Sequence, residues 1–301
     1  GVASRRPGGA PRGGGGVTVG EVVDRIAEAL VAPGVPPARA EARDLIAAVL
    51  DQPRFWPSAH REDRLDAETL ARIDQVVARR REGMPLPYAV GRAPFRHLTL
   101  AVDRRVLIPR PETELLVDLV LAAQQGGRGR AVDVGTGSGA IALALAAEGA
   151  FDEVHAIDRS AEALAVARGN LAAIPEDRRG RLHWHEGDLL APIQGMSVDV
   201  VVSNPPYISP AEAAALPALV RDWEPHLALF AEDDGMALIR ALVPQAAAVL
   251  GPGGLLAMEI DARRATLARE AVEADPRFTA VELRMDLTGR PRFVVARRQE
   301  R

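Results

Sequence analysis

The sequence predicts an α/β protein: a doubly wound, largely parallel sheet preceded by a small helical domain and a β-hairpin. Three observations predict it. From Glu112 onward, apolar segments of strand length alternate with segments of helical period, as in a parallel sheet covered on both faces. Before that, Val22, Val23, Ile26, Ala29 and Leu30 recur at helical spacing, as do Leu45, Ile46, Val49 and Leu50, then Leu70, Ile73, Val76 and Val77. Between the two regions, Pro85 to Leu107 alternates like strands around turns.

The boundaries follow from these changes of pattern. Residues 1–16 are Gly/Pro/Arg low complexity and are expected to be a disordered tail. Residues 17–83 are expected to form the helical domain, in the role of docking a substrate. Residues 84–108 are expected to be the hairpin linker, and residues 109–301 the Rossmann-like sheet domain. A chain of 301 residues is long enough for one large and one smaller core.

Within the sheet domain the expected order is regular. A helix over 112–125 leads to a buried strand at 130–135, and a helix over 140–149 leads to a strand at 154–158. A helix over 161–172 leads to a strand at 182–186, and a β-branched strand follows at 198–203. A helix over 234–250 precedes a strand at 254–260. A helix over 263–274 is followed by strands near 279–285 and 292–296. Thr288-Gly289 lies between these last strands, so they are expected to pair antiparallel at a sheet edge.

Composition narrows the chemistry. There is no cysteine, which removes disulfides, thiolate nucleophiles and cysteine-based zinc sites and fits a reducing cytoplasm. There is no lysine either, which removes Schiff-base and P-loop-lysine chemistry. No apolar run is of membrane-spanning length. The net charge of −4 weighs against bulk nucleic acid as the substrate. His183 and His185 alternate along one strand; a surface or structural role is expected for them, and no metal.

Two motifs carry chemistry. The strand at 130–135 ends in Gly135-Thr136-Gly137-Ser138-Gly139, where glycines permit tight turns and close approach of a ligand to backbone. The helix after it is expected to offer free N–H groups. Asp158 ends the next strand, where a carboxylate suits the two hydroxyls of a ribose. Asp188 is placed to hold an adenine amino group, or is an ordinary turn residue. Asp133 is expected near the far end of the cofactor, or satisfied by loop N–H groups. Alone, Gly135-x-Gly137-x-x-Ala140 also satisfies a dinucleotide fingerprint.

The second motif is Asn204-Pro205-Pro206-Tyr207, at the carboxyl end of a buried strand, where open α/β sheets bind ligands. A residue before proline is held extended, and two prolines contribute no N–H donors. The segment therefore presents acceptors, the Asn204 side-chain oxygen and the Pro205 carbonyl, matching the two hydrogens of one planar NH2 group. Tyr207 would add a flat apolar wall. With the glycine loop, this pattern implies S-adenosyl-L-methionine (S-adenosylmethionine) as cofactor and methyl transfer to an amide or base nitrogen. The segment does not distinguish a glutamine amide from an exocyclic amino group of RNA or DNA.

The chain from about Val19 resembles the bacterial glutamine N5-methyltransferases that modify peptide chain release factors. The resemblance is carried by Pro87-Tyr88-Ala89-Val90-Gly91, by Ile108-Pro109-Arg110-Pro111-Glu112-Thr113-Glu114, by Asp133 to Ala142 and by Ser203 to Ile208. Glu224-Pro225, Ala228-Leu229-Phe230 and Gly253-Gly254 also fit. The Ile-Pro-Arg-Pro-Glu-Thr-Glu segment discriminates best, because base methyltransferases sharing the tetrapeptide generally lack it.

The resemblance implies a class I S-adenosylmethionine-dependent methyltransferase fold with a helical N-terminal domain and a connecting hairpin. It implies cofactor binding at Gly135 to Gly139, Asp158, Asp188 and Asn204. It implies that Asn204 to Tyr207 hold a glutamine of a release factor's Gly-Gly-Gln loop. A ribosomal-protein glutamine is the alternative acceptor. His97, Leu189, Trp223 and Asp261 depart from the family pattern and bear on which protein is methylated.

Overall fold

The structure, a computed structural model, describes residues 16–31, 39–124 and 127–300, so the expected tail lies outside it apart from Gly16. The chain divides into two compact units between Val90 and Gly91.

The first unit is helical: α1 (Val19–Ala29), α2 (Arg39–Leu50), α3 (Trp56–Ala59), α4 (Ala67–Arg81) and α5 (Leu86–Val90). A capping box starts α1: Thr18 Oγ1 accepts from the Glu21 N–H, and the Glu21 carboxylate accepts from the Thr18 N–H at 2.8 Å. The apolar stripe Val19, Val22, Val23 and Ile26 packs in one cluster with Leu45 and Ile46 of α2 and Ile73 of α4. Asp66 caps α4, and Arg79, Arg80 and Arg81 complement the dipole at its other end. The short α5 corrects the strand expected there. Pro87 falls in a first helical turn, where its missing N–H costs nothing, and the turn buries Tyr88 and Ala89.

The second unit opens with an antiparallel hairpin, β1 (Arg92–Phe95) and β2 (Leu98–Ala101). The hairpin is thus shorter than residues 84–108 and lies within the sheet unit. Phe95 and Leu100 are fully buried in the same core as helix α7 (Ala140–Glu148). At the turn, Arg96 takes φ 53 while His97 is not left-handed, so the backbone does not demand glycine at His97. The Arg96 side chain pairs with Asp118 at 2.8 Å and with Glu148 at 2.7 Å. The buried Asn170 carboxamide bonds both backbone groups of Ala101, at 2.7 and 3.0 Å, and the Ser138 carbonyl at 3.0 Å.

The sheet strands are β3 (Arg130–Val134), β4 (Glu153–Asp158), β5 (Leu182–Glu186), β6 (Val198–Ser203), β7 (Leu250–Glu259), β8 (Phe278–Met285) and β9 (Pro291–Arg298). Their order is β5-β4-β3-β6-β7-β9-β8. The first five in that order are parallel, and β9 and β8 add antiparallel, as the sequence predicts. The chain winds outward from β3 to β5 and returns beside β3 as β6, which makes the β3/β6 boundary the switch point.

Strand side chains alternate between faces. Ala131, Val200, Val202 and Ala257 meet α7, the hairpin and α6 (Pro111–Gln124). Val132, Val201, Leu256 and Met258 meet two helices on the other face, Ala237–Val249 and Ala265–Glu273. The register sets Val134 beside Ser203 and Ser203 beside Met258, so the residues after β3, β6 and β7 emerge at one level. Among the described residues, no helix is long and apolar enough to cross a membrane, and no group of side chains is arranged to hold a metal.

Candidate active site

A cavity of about 660 Å³ opens at the carboxyl ends of β3, β4 and β6, a volume suited to a nucleoside-sized ligand. Gly135, Gly137, Asp158, Asp188 and Asn204 all line it. The structure thus brings together most of the residues singled out from sequence.

The glycine loop is held by carboxylates beneath and beside it. Gly135 and Thr136 donate their N–H groups to the Ile157 carbonyl, both at 2.9 Å, which turns the chain sharply after β3. Gly135 and Gly137 have φ of 73° and 55°, and a Cβ on either would project into open space. Side chains there would therefore be strained and would occupy room a ligand needs. Asp158 accepts from the Gly137 N–H at 2.9 Å and from the Ser160 N–H at 2.9 Å. Two N–H bonds leave lone pairs on this carboxylate for hydroxyl donors, and burial pushes its pKa up against them.

The structure locates the remaining residues of this end, and for Asp133 it favours the reading of a carboxylate satisfied by loop groups. Asp133 is fully buried under the loop and does not line the cavity. Its Oδ2 accepts from the Thr136 hydroxyl at 2.6 Å and the Ala142 N–H at 3.1 Å, so it anchors the loop. In the first turn of α7 the Ala142 N–H is thus given to Asp133. Thr136 and Ser138 are buried frame residues, and Gly139 caps α7; none of the three lines the cavity. Asp188 does line the wall, as an exposed residue, followed by Leu189 at φ 48.

Beside the glycine loop, at the end of the neighbouring strand β6, the wall is built from Asn204. Its Nδ2 donates to Thr113 Oγ1 at 3.1 Å, and the Thr113 hydroxyl donates to Glu259 Oε2 at 2.7 Å. Thr113 and Glu259 are 5% and 1% exposed, so this chain of bonds is shielded from water. Burial raises the Glu259 pKa to about 7, opposed by the Thr113 hydrogen bond and by Arg292.

Pro205 and Pro206 continue the cavity wall, but Tyr207 does not line it. Its phenol is pushed upward in pKa by burial and by Glu259, and its backbone is locked from behind. A Cβ at Gly235 would sit 2.1 Å from the Tyr207 carbonyl oxygen, which makes glycine obligatory there.

The rim joins two segments distant in sequence. Glu224, buried, pairs with the Arg110 guanidinium and accepts from the Ile108 N–H at 3.3 Å. The Arg104 guanidinium lies 4.3 Å over the Trp223 ring and donates to the Asp222 carbonyl at 3.2 Å. Arg110 is thus a clasp between loops. Asp261, another departure, caps the turn that follows β7, accepting from the Arg263 N–H at 2.7 Å. Away from the cavity, His155 Nδ1 lies 3.0 Å from His185 Nε2 and its ring stacks on His183.

Sequence reasoning did not assign Thr113 or Glu259 to the site. The signals present were a threonine inside the Pro-Glu-Thr-Glu segment and a lone acid ending a wholly apolar strand.

A profile for the Methyltransferase small domain matches residues 111–228, and one for the PrmC N-terminal domain matches residues 21–91. The chain is 38% identical to a release factor glutamine methyltransferase of Koribacter versatilis, across 94% of this chain and 99% of that one. It is 39% identical to one of Moorella thermoacetica, across 94% and 98%. In fold it is similar to the hMettl16 catalytic domain in complex with MAT2A 3'UTR hairpin 1, with TM-score 0.56 at 14% identity over 86% of this chain and 91% of that one. Relatedness over almost the full length of both chains, together with both domain matches, means that the chain belongs to the release factor glutamine methyltransferase family.

Proposed function

We propose that this protein is a cytoplasmic methyltransferase that uses S-adenosylmethionine to methylate the side-chain amide nitrogen of a glutamine in a peptide chain release factor. The observation that carries this reading is the Asn204 carboxamide. Its nitrogen is tied back to Thr113, while its oxygen has no partner among the described residues, and the residue lines the same cavity as the glycine loop.

The residues present fit the cofactor. Open space over Gly135 and Gly137 admits a ligand against backbone, and Asp158 keeps lone pairs for ribose hydroxyls. Asp188 stands at the wall suited to an adenine amino group, with Ile157 and Leu189 as apolar surface. When bound, S-adenosylmethionine supplies a methyl group activated by its sulfonium.

The chain's own part is positioning. An amide nitrogen is a weak nucleophile because its lone pair is shared with the carbonyl. The Asn204 oxygen and the Pro205 carbonyl accept its two N–H bonds, which polarises the nitrogen and fixes its direction. Pro206 and Phe230 help keep the wall apolar, so these dipoles act with little competition from water. The helical unit, α1 to α5, docks the protein substrate. Deleting residues 1–82 is expected to reduce release-factor methylation far more than cofactor affinity, and equal loss of both would argue against docking.

Intact-mass spectrometry of purified release factor, incubated with this protein and S-adenosylmethionine and followed by peptide mapping, tests the whole reading. The expected result is one added methyl group on the Gly-Gly-Gln glutamine. No gain, with cofactor bound, would transfer the reading to a ribosomal-protein glutamine or a nucleic-acid amino group.

A further inference from the structure

A carboxamide has an acceptor end and a donor end, and the two can exchange places by a half-turn with little change of shape. For Asn204 the exchange matters. An acceptor NH2 group is held by an oxygen and repelled by another NH2. What decides which end faces the cavity is the hydroxyl of Thr113, and behind it the carboxyl of Glu259.

The logic follows from counting hydrogens. Thr113 Oγ1 has one hydrogen and two neighbours, Glu259 Oε2 at 2.7 Å and Asn204 Nδ2 at 3.1 Å. An ionised carboxylate only accepts, so the hydroxyl hydrogen goes to Glu259. The hydroxyl is then left with lone pairs toward Asn204 and can bind only the NH2 end. The oxygen end must face the cavity. The three residues come from α6, β7 and the end of β6, and the β6/β7 register brings Asn204 level with Glu259.

We propose that Glu259 and Thr113 are positioning residues that fix the Asn204 carboxamide with its oxygen toward the acceptor. This inference rests on the amide-methylation reading above and deepens it. A protonated Glu259 removes the constraint. It can donate to Thr113, whose own hydrogen then turns to Asn204 and favours the reversed carboxamide.

The setting of Glu259 makes that change accessible near neutral pH. Arg292 from β9 and Arg110 from the loop before α6 favour the ionised form. Burial and Glu112 of α6 oppose it; Tyr207 also feels the Glu259 charge, and Arg292 is itself paired with Asp286 at 3.4 Å. The carboxyl titrates at about 7, so the productive carboxamide is populated above that pH and lost below it.

Two readouts test the inference. The first is the side-chain 15N–1H signal pair of Asn204 in cofactor-free protein, assigned by its loss in Asn204→Asp. It is expected to shift with a midpoint near pH 7 in the parent and to stop doing so in Glu259→Gln, where a neutral amide replaces the titrating group. The second is steady-state methylation of release factor. Thr113→Val is expected to lower kcat by about tenfold to a hundredfold, the range for a lost buried hydrogen bond, with cofactor affinity unchanged. Thr113→Ser restores most of the rate. Glu259→Gln loses the fall in rate below pH 7 that the parent shows.

An Asn204 signal that does not move between pH 6 and 8, or moves alike in Glu259→Gln, overturns the inference. So does a Thr113→Val protein with parental kcat. If the parent methylates and the variants match it, the positioning role fails while the functional reading stands. If the parent does not methylate release factor, that reading fails and the NMR titration alone decides the carboxamide's control.

Discussion

The two walls of the cavity are held in different ways. On the glycine-loop side, a buried and a half-buried carboxylate grip backbone N–H groups: Asp133 binds Ala142, and Asp158 binds Gly137 and Ser160. On the acceptor side, prolines remove N–H groups and side chains grip one another, from Asn204 through Thr113 to Glu259. The first wall is shaped by main chain and depends on the absence of side chains at Gly135 and Gly137. The second is shaped by the identity of three side chains from three elements. A ligand common to many reactions needs only the former; a reaction specific to one kind of nitrogen needs the latter.

Substitutions should separate the walls. The largest effect is expected at the acceptor wall: Asn204→Ala removes the oxygen that holds the amide and should lower kcat by about a hundredfold or more while leaving cofactor affinity within a few-fold. Calorimetric titration with S-adenosylmethionine beside single-turnover assays checks this, and full turnover in the variant would remove the amide clamp. The converse change is Gly137→Ala. A Cβ at φ 55 costs about 1–2 kcal/mol of strain and intrudes on ligand space, so cofactor Kd should rise about tenfold or more. The rate at saturating cofactor should fall much less. If both parameters fall together, the walls are not independent.

The smallest effect separates stability from function. Burial holds the Asp133 carboxyl up to about 7, above its unfolded value. Between about pH 4 and 7 the unfolded chain therefore loses this proton first. Asp133 thus contributes a decline in folding stability as pH rises through that window, levelling off above about 7. Urea unfolding across the window should show a flatter pH dependence for Asp133→Asn than for the parent, because asparagine has no proton to release there. Identical slopes would show that Asp133 is ionised throughout.

The part of the site legible in the sequence is the part encoded locally. A strand ending in Gly-x-Gly, an acid at the end of the next strand and Asn-Pro-Pro-Tyr after a β-branched run each announce themselves within a few residues. The alternation of strand and helix and the antiparallel edge pair follow from the same local patterns, whereas the order of the seven strands does not. The polar relay was not legible because it joins Thr113 to Glu259 across 146 positions. Nothing in either neighbourhood says that α6 and the end of β7 meet.

One local reading failed for a local reason, and another met a different setting. Pro85 to Val90 looks like a strand because proline and alternating apolar residues suit one, yet Pro87 is equally suited to a first helical turn. Tyr207 looks like a wall residue from its place beside two prolines; it does not line the cavity, and its phenol feels the charges of Glu259 and Arg110.

The clasp formed by Arg110 with Glu224, and by Arg104 with Trp223, ties the approach to α6 to a segment more than a hundred positions later. A mouth stitched by charge and ring contacts is set when the protein folds. Fewer conformations remain to be surrendered when a ligand arrives, so affinity there reflects direct contact more than induced order.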